Sequence, residues 1–390
     1  MKKIKILMAA CITAFALMVL SGCGTTIVLN RYLNMNDATL AYMLTSDGVF
    51  TMYNATTQTE DWTDYEFNSA QNLVGGRPWE DRIGDIKKVV IMENVGSVGS
   101  YSFYGASNLT ELQIGPDVTH INENAFKNCF NLKTITIDPA NTSFSTENGY
   151  LVQLSDNKII RGTSATDIVL DSSVSVIEDS AFGGLTTIKS IDMSQSSITE
   201  IAPNTFEDCT SLTTVKLPAG LQSIGSNAFK GCTALSEIDF EDCNSLTTIG
   251  DIAFFGCTAL GEINLPASLS NIGVLAFSKT AAKSVSFAES DVSVVIGSNA
   301  FYECDALKEV YIANPTITSR CTNSSTVGYL LANTYAASHG EVVRNLTIYI
   351  AASCYDADSM GAYLANTENY VKEAENQTID GVEYVVYTAV

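Results

Sequence analysis

Two kinds of apolar spacing alternate along most of this chain, and the alternation itself repeats. In Leu212-Thr-Thr-Val215-Lys-Leu217 the apolar residues fall at every second position near the end, as in a short strand with one buried face. Pro218, and Pro266 in a later unit, follow such runs and stop them, because proline cannot donate to a strand ladder. The next stretch, Ile224-Gly225-Ser-Asn-Ala228-Phe229-Lys-Gly-Cys232-Thr-Ala-Leu235, spaces its apolar residues by three and four, which predicts a short helical turn. The unit begins again at Leu235 and, in variant form, at Leu260.

Phenylalanine marks the register. It recurs at Phe103, Phe126, Phe182, Phe206, Phe229, Phe254, Phe277 and Phe301, at intervals of 23, 56, 24, 23, 25, 23 and 24 residues. Only the second interval departs from a single repeat length. One unit is too small to bury its own Leu, Ile, Ala, Phe and Cys, but stacked units bury each against its counterparts above and below. The expected fold is a solenoid, β-rich with short helical turns, with a parallel β-sheet on one face and a ladder of the eight Phe rings in its core. Both ends of such a stack need capping, because they expose core and unpaired strand edges.

The run Leu221-Gln-Ser-Ile224-Gly225-Ser-Asn-Ala228-Phe229-Lys-Gly-Cys232 resembles the consensus of the BspA-like class of bacterial leucine-rich repeats. The resemblance spans residues 83–313. It accounts for the long interval, because Asn141 to Phe144 and Asn148 to Ile160 look like the hairpin insert common in that family, here about 138–167. Leu346 to Ala351 resembles the family's closing strand, without its usual proline. Residues 23–82 are then an N-terminal anchor and cap, and residues 314–390 a last coil and C-terminal cap, with a short helix around Ala362 to Glu375 and a strand at Glu383 to Tyr387. What the resemblance implies about function is a surface protein that adheres to a host or to neighbouring microbes.

The N-terminus points to the same compartment. Lys2, Lys3 and Lys5 precede an apolar run from Ile6 to Leu20, the layout of a secretory signal and too short for a comfortable membrane span. Leu20-Ser21-Gly22-Cys23 resembles the lipobox of bacterial lipoproteins, so residues 1–22 are expected to be cleaved and Cys23 to carry the lipid that holds the protein to the membrane. Three lysines leave with the signal, so 18 of the 21 basic residues stand against 43 acidic ones. A surface that acidic repels nucleic acid, which is excluded as a partner. With 46% hydrophobic and only 16% charged residues the chain folds rather than staying disordered.

Candidate chemistry is sparse, and neither enzyme, cofactor nor metal is expected. The two histidines, His120 and His339, belong to no catalytic motif. Asp356-Ala-Asp358-Ser-Met360-Gly361 fails as a calcium loop, because its fifth and twelfth positions are Met360 and Thr367. Five cysteines, Cys129, Cys209, Cys232, Cys257 and Cys304, stand three residues after a ladder Phe, where other units carry Ala106 and Leu185. That marks a small buried slot and favours free thiols, although coil spacing does not forbid Cys209–Cys232 or Cys232–Cys257 bridges. Cys243, Cys321 and Cys354 lie outside the ladder, and their connectivity is not readable.

The remaining function is binding. In each unit the strand leaves two side chains outside the core, giving Glu237 and Asp239 in one coil, Glu262 and Asn264 in the next, and Glu309 and Tyr311 two coils later. These would form columns on the sheet face that is concave in leucine-rich-repeat solenoids. Earlier coils offer Thr134, Thr136, Ser190, Thr214 and Lys216, so carboxylates gather toward the C-terminus. The expected partner is a host or microbial surface protein or glycan, with a basic segment favoured by the charge. Two other readings stand beside it: an envelope protein without a specific ligand, and a glycan-capture accessory, for which stacked aromatics are wanting. The hairpin insert near Tyr150 is the next candidate region.

Overall fold

A computed structural model describes residues 27–32, 40–54, 60–61, 79–146, 149–163, 165–313, 317–319, 346–351, 370–373, 375–379 and 381–389. They belong to two compact units, Met1–Ser164 and Ala165–Val390. The signal segment, Cys23, His339, the Asp356 to Gly361 run, Cys321 and Cys354 lie outside the described residues.

In the first unit the strands Ile27–Tyr32, Leu40–Thr45 and Val49–Asn54 pair antiparallel. The last of them continues as a parallel run through Lys88–Ile91, Glu111–Ile114 and Thr134–Ile137. A second parallel sheet joins Glu60–Asp61, Val95–Val98 and His120–Ile121. The stack of Phe103 on Phe126, at 5.3 Å, is closed at its head by Phe50, 5.3 Å from Phe103, with Tyr42 and Trp79 around it. Trp79 is buried and its indole N–H donates to the Ser102 carbonyl at 2.9 Å, so the aromatic plug brings its own polar group to a partner.

The insert is three antiparallel strands, Phe144–Ser145, Tyr150–Gln153 and Lys158–Gly162. It does not stand away from the body. Phe144, Leu151 and Ile160 join the unit's core, and the Gln153 side chain accepts the Ile121 backbone N–H at 3.0 Å. Asn141 donates to the carbonyls of Gly115 and Val118, both at 2.8 Å. Tyr150 is 2% exposed, so any surface the insert offers is made by its other residues.

The second unit builds three sheets. Asp167–Val169, Ser190–Asp192 and Thr214–Lys216 are parallel. So are the short strands Glu200–Ile201, Ser223–Ile224, Thr248–Ile249, Asn271–Ile272, Val294–Ile296 and Ile317–Ser319. The third sheet runs through Glu262–Leu265, Ser284–Phe287, Glu309–Ile312 and Thr347–Ala351, then adds Val382–Ala389 antiparallel. Its last partner is Tyr370–Lys372, a strand where the sequence predicted the end of a helix. Local propensity yields there because the backbone of Val382–Ala389 offers a full ladder of partners. The Phe ladder of this unit, from Phe182 to Phe301, stacks ring on ring at 5.0–5.4 Å with interplanar angles of 3–13°.

The three-and-four spacing is realised as tight turns that never extend into a helix. Backbone bonds run from Cys232 N to Phe229 O and from Lys230 N to Asn227 O, each three residues long. Residues two before and two after each ladder Phe are left-handed, for instance Asn227 and Gly231 around Phe229, and a left-handed residue ends a right-handed helix. That explains why the repeat carries Asn and Gly at these places. Ile252 occupies one of them at φ 61°, where a β-branched side chain is strained. Ile252→Asn, which copies Asn204 and Asn227, is expected to raise unfolding free energy by about 1 kcal/mol. A lower denaturation midpoint would show that the contacts of the isoleucine outweigh its strain.

Side chains tie each coil to the one before it. Thr213 and Thr247 hydroxyls donate to the carbonyls of Lys189 and Gln222, and the Asn131 amide donates to the Ser107 carbonyl. The cysteine slot works the same way. The thiols of Cys129, Cys209, Cys232, Cys257 and Cys304 point to the carbonyl of the preceding coil's ladder Phe at 3.1–3.2 Å. In the Phe277 coil the slot holds Thr280, which contacts Cys304 Sγ at 3.2 Å. All five are buried and none is bridged, and the same is true of Cys243, which the sequence had left open to pairing.

Burial pushes the Cys257 thiol up to about 12 and, with help from Asp239 and Asp242, the Cys243 thiol to about 11. At neutral pH neither is a thiolate, the form that reacts. Alkylation of the folded protein is therefore expected to spare these cysteines, and alkylation in denaturant to label them without reductant. A mass lower by two hydrogens per pair would reveal disulfides instead. The raised values also set a pH dependence: this contribution to stability is whole below pH 9 and is lost as the pH climbs toward 12.

Candidate ligand face

The outward face of the C-terminal sheet is built by strand alternation. In Glu262–Leu265 the burial runs exposed, buried, exposed, buried, because Ile263 and Leu265 must enter the core. Parallel pairing sets Glu262, Ser284 and Glu309 in one column and Asn264, Ser286 and Tyr311 in the next. Four of the six residues singled out in the sequence thus share one sheet face. The Ser286 hydroxyl donates to Asn264 Oδ1 at 2.7 Å.

Glu237 and Asp239 do not join that sheet. They are exposed between buried Ile238 and Phe240, but Ser236 to Phe240 forms no strand among the described residues. Two causes are visible. The Asp239 carboxylate accepts the backbone N–H of Glu241 at 2.8 Å, a local turn that competes with ladder pairing. This coil also carries a turn made by Phe240, Cys243 and Leu246, with bonds Cys243 N to Phe240 O and Leu246 N to Cys243 O, where the previous coil has Leu217-Pro218-Ala-Gly-Leu221. The extra turn splits the sheet in two.

The earlier part of the face is satisfied internally. Lys216 pairs with Asp192 at 2.8 Å, and Ser190 and Thr166 hydroxyls hold the Asp167 carboxyl below its usual range. Glu262 and Glu309 have no ion pair among the described residues. Of the paired strands on this face, the C-terminal sheet thus carries two carboxylates without an ion pair among the described residues.

Beside them stands an aromatic cluster that sequence reasoning missed. Tyr311 stacks on Tyr349 at 4.5 Å and 10°, and Tyr384 meets both rings edge-on at 6.0 and 6.1 Å. Tyr349 and Tyr384 are buried with Ala313 and Val386, while Tyr311 is half-buried at the margin. Burial first and the Glu309 carboxylate second push the Tyr311 phenol up to about 12, so it stays neutral. Tyr349 was legible as the column neighbour of Tyr311 once Thr347–Ala351 is read as the next strand; Tyr384 comes from an antiparallel strand that no repeat pattern predicts.

His120 is exposed, and its ring nitrogen lies 3.0 Å from Thr119 Oγ1. Among the described residues no group of three or more His, Cys, Asp or Glu is placed to hold a metal.

The family model for the BspA type leucine rich repeat region matches residues 81–151, 155–245 and 243–329, in 6 copies. The chain belongs to this family. The BspA-type match thus covers the repeats of both units, and it begins at the first parallel rung. No curated protein sequence matches the chain. Solved structures similar to this BspA-type chain are leucine-rich-repeat proteins at low identity. One from Eubacterium ventriosum is 16% identical over 66% of this chain and 95% of its own, with a TM-score of 0.32. The T. pallidum leucine rich repeat protein is 25% identical over 47% and 85%, with a TM-score of 0.37. The pneumococcal vaccine antigen PcpA is 14% identical over 82% and 98%, also at 0.37.

Proposed function

We propose that this protein is a non-catalytic surface binding module, held to the membrane through a lipid on Cys23, that takes a basic segment of a host or microbial surface protein on its C-terminal sheet. The observation that carries this reading is the pair of carboxylates, Glu262 and Glu309, that share one sheet face and have no ion pair among the described residues. A net charge of −22 strengthens attraction to a basic partner. The BspA-type repeat supports a binding role, because a stack of coils supplies a broad surface and no reaction centre.

The test uses the detergent-solubilised full chain against immobilised host matrix proteins and mucosal glycans. Glu262→Lys combined with Glu309→Lys is expected to weaken capture of a basic protein by at least about tenfold and to flatten its salt dependence. Glu237→Lys with Asp239→Lys, which lies off the sheet, is the control and should change capture little. Equal capture by the sheet variant would remove this face from consideration. In the producing cell, Cys23→Ser should shift the protein out of the membrane fraction; unchanged retention would refute the anchor.

A further inference from the structure

We infer that the serine rung of the C-terminal sheet is a slot for an arginine side chain of the partner, an inference that rests on the binding face proposed above. The outward residues of Ser284–Phe287 are Ser284 and Ser286, both half-buried between larger neighbours. The rung before them carries Glu262 and Asn264, and the rung after them Glu309 and Tyr311. Adjacent strands lie about 4.8 Å apart, so the two flanking rungs stand about 9.6 Å apart with two serines between them, Ser286 being tied to Asn264 Oδ1 at 2.7 Å on the far side from Tyr311. That leaves a notch one planar group thick.

The walls of the notch suit a guanidinium group. One face of the Tyr311 ring is covered by Tyr349 at 4.5 Å; the other looks over Ser286. A planar cation midway between the rungs would sit about 4.8 Å from that ring, inside the roughly 6 Å reach of a cation–π contact. The Tyr311 phenol is neutral across the working pH range, and so the ring keeps the electron-rich face of a phenol. Around the rim the carboxylates of Glu262 and Glu309 and the amide oxygen of Asn264 accept hydrogen bonds. Acceptors on both sides of a flat stacking surface match the five donors of guanidinium, which is planar and weakly hydrated; an ammonium is a compact point charge that needs no slot. A neutral sugar would find only one open aromatic face, since Tyr349 and Tyr384 are buried. An anionic one meets two carboxylates.

The probes are a synthetic peptide of four Gly-Arg repeats and its Gly-Lys counterpart, titrated calorimetrically into the solubilised full chain. The Arg peptide is expected to bind about tenfold more tightly than the Lys peptide. Ser286→Phe fills the notch and keeps both carboxylates, so it should abolish the Arg preference and leave the Lys peptide's affinity as it was. Tyr311→Leu, on a residue already at the margin of the cluster, should reduce the same preference and guards against a misfolded Ser286→Phe protein. Glu262→Gln with Glu309→Gln should weaken both peptides. Equal affinity of the two peptides for the unaltered protein, with both lost in the Gln variant, would overturn the slot while leaving the acidic face intact. An Arg preference that survives Ser286→Phe and Tyr311→Leu would overturn it too. Binding of neither peptide would end both readings, and displacement of the Arg peptide by a neutral trisaccharide of N-acetylglucosamine would make the notch a sugar subsite instead.

Discussion

Phe229→Ala is expected to lower the unfolding free energy by about 3–5 kcal/mol, the range for truncating a fully buried aromatic ring. The ring is 0% exposed and stacks on Phe206 and Phe254, each at 5.1 Å. Its neighbours cannot close the gap. Each coil is fixed to the next by its own backbone bonds, here Phe206 N to Ala228 O and Phe229 N to Ala253 O, both 2.7 Å. The missing ring therefore leaves a cavity with most of its cost intact. Because coils interact chiefly with their nearest neighbours, the variant's denaturant transition should also broaden or split at this rung. A protein that unfolds at the wild-type midpoint would mean that Phe229 is not a rung of the core.

Gly273→Ala adds one methyl group and is expected to cost about 1–3 kcal/mol or more. A Cβ at Gly273 would lie 2.3 Å from Asp251 N and 2.4 Å from Gly250 C, both backbone atoms that no rotamer change can move aside. Gly225, Gly250 and Gly297 face the same obstacle from the coil before them, with closest approaches of 2.7, 2.7 and 2.5 Å. Relief requires spreading two coils, which strains the bond from Gly273 N to Ile249 O at 2.8 Å and that from Val274 N to Asp251 Oδ1 at 2.7 Å. Gly261 has nothing within 4 Å of the same added atom. Gly261→Ala should therefore stay within about 0.5 kcal/mol of wild type. Equal thermal melting of the two variants would show that coil spacing is set by something other than the glycine column.

The repeat architecture was legible because its signals are local and recur. The Phe interval gave the register, the strand alternation gave the buried face, and the place of Glu262, Asn264, Glu309 and Tyr311 on one face follows from these alone. What escaped depends on pairings that one coil cannot announce. Ser236 to Phe240 reads as a strand, yet the Asp239 turn and the extra bend at Phe240 to Leu246 take its backbone out of the ladder. The hairpin insert was legible, but nothing local reveals that Gln153 reaches Ile121 and that Tyr150 is buried. The turn expected to be helical was read from apolar spacing alone. Asn and Gly two residues either side of Phe carried the contrary message, because they are the residues that tolerate a left-handed backbone. Tyr384 was hidden, because it reaches Tyr311 from an antiparallel strand that no repeat announces.

Most side-chain bonds to carbonyls between coils share a direction, with Trp79 to Ser102 and Ser278 to Tyr302 running the other way. Cys232 reaches back to Phe206, Thr213 to Lys189, Thr247 to Gln222, Ser270 to Thr247 and Asn131 to Ser107, each from a later coil to a carbonyl of an earlier one. A finished coil thus presents carbonyls to these side chains of the next, while at the Phe turns it donates its own N–H groups, as from Phe206 to the Ala228 carbonyl. Polypeptide synthesis runs in the same order, N-terminus first, at about 5–20 residues per second. A coil of 23–25 residues is then complete every one to five seconds, with a template already in place to wind it on. Winding from one end, like thread taken up on a spool, then gives each coil both donors and acceptors of the one before it to settle on.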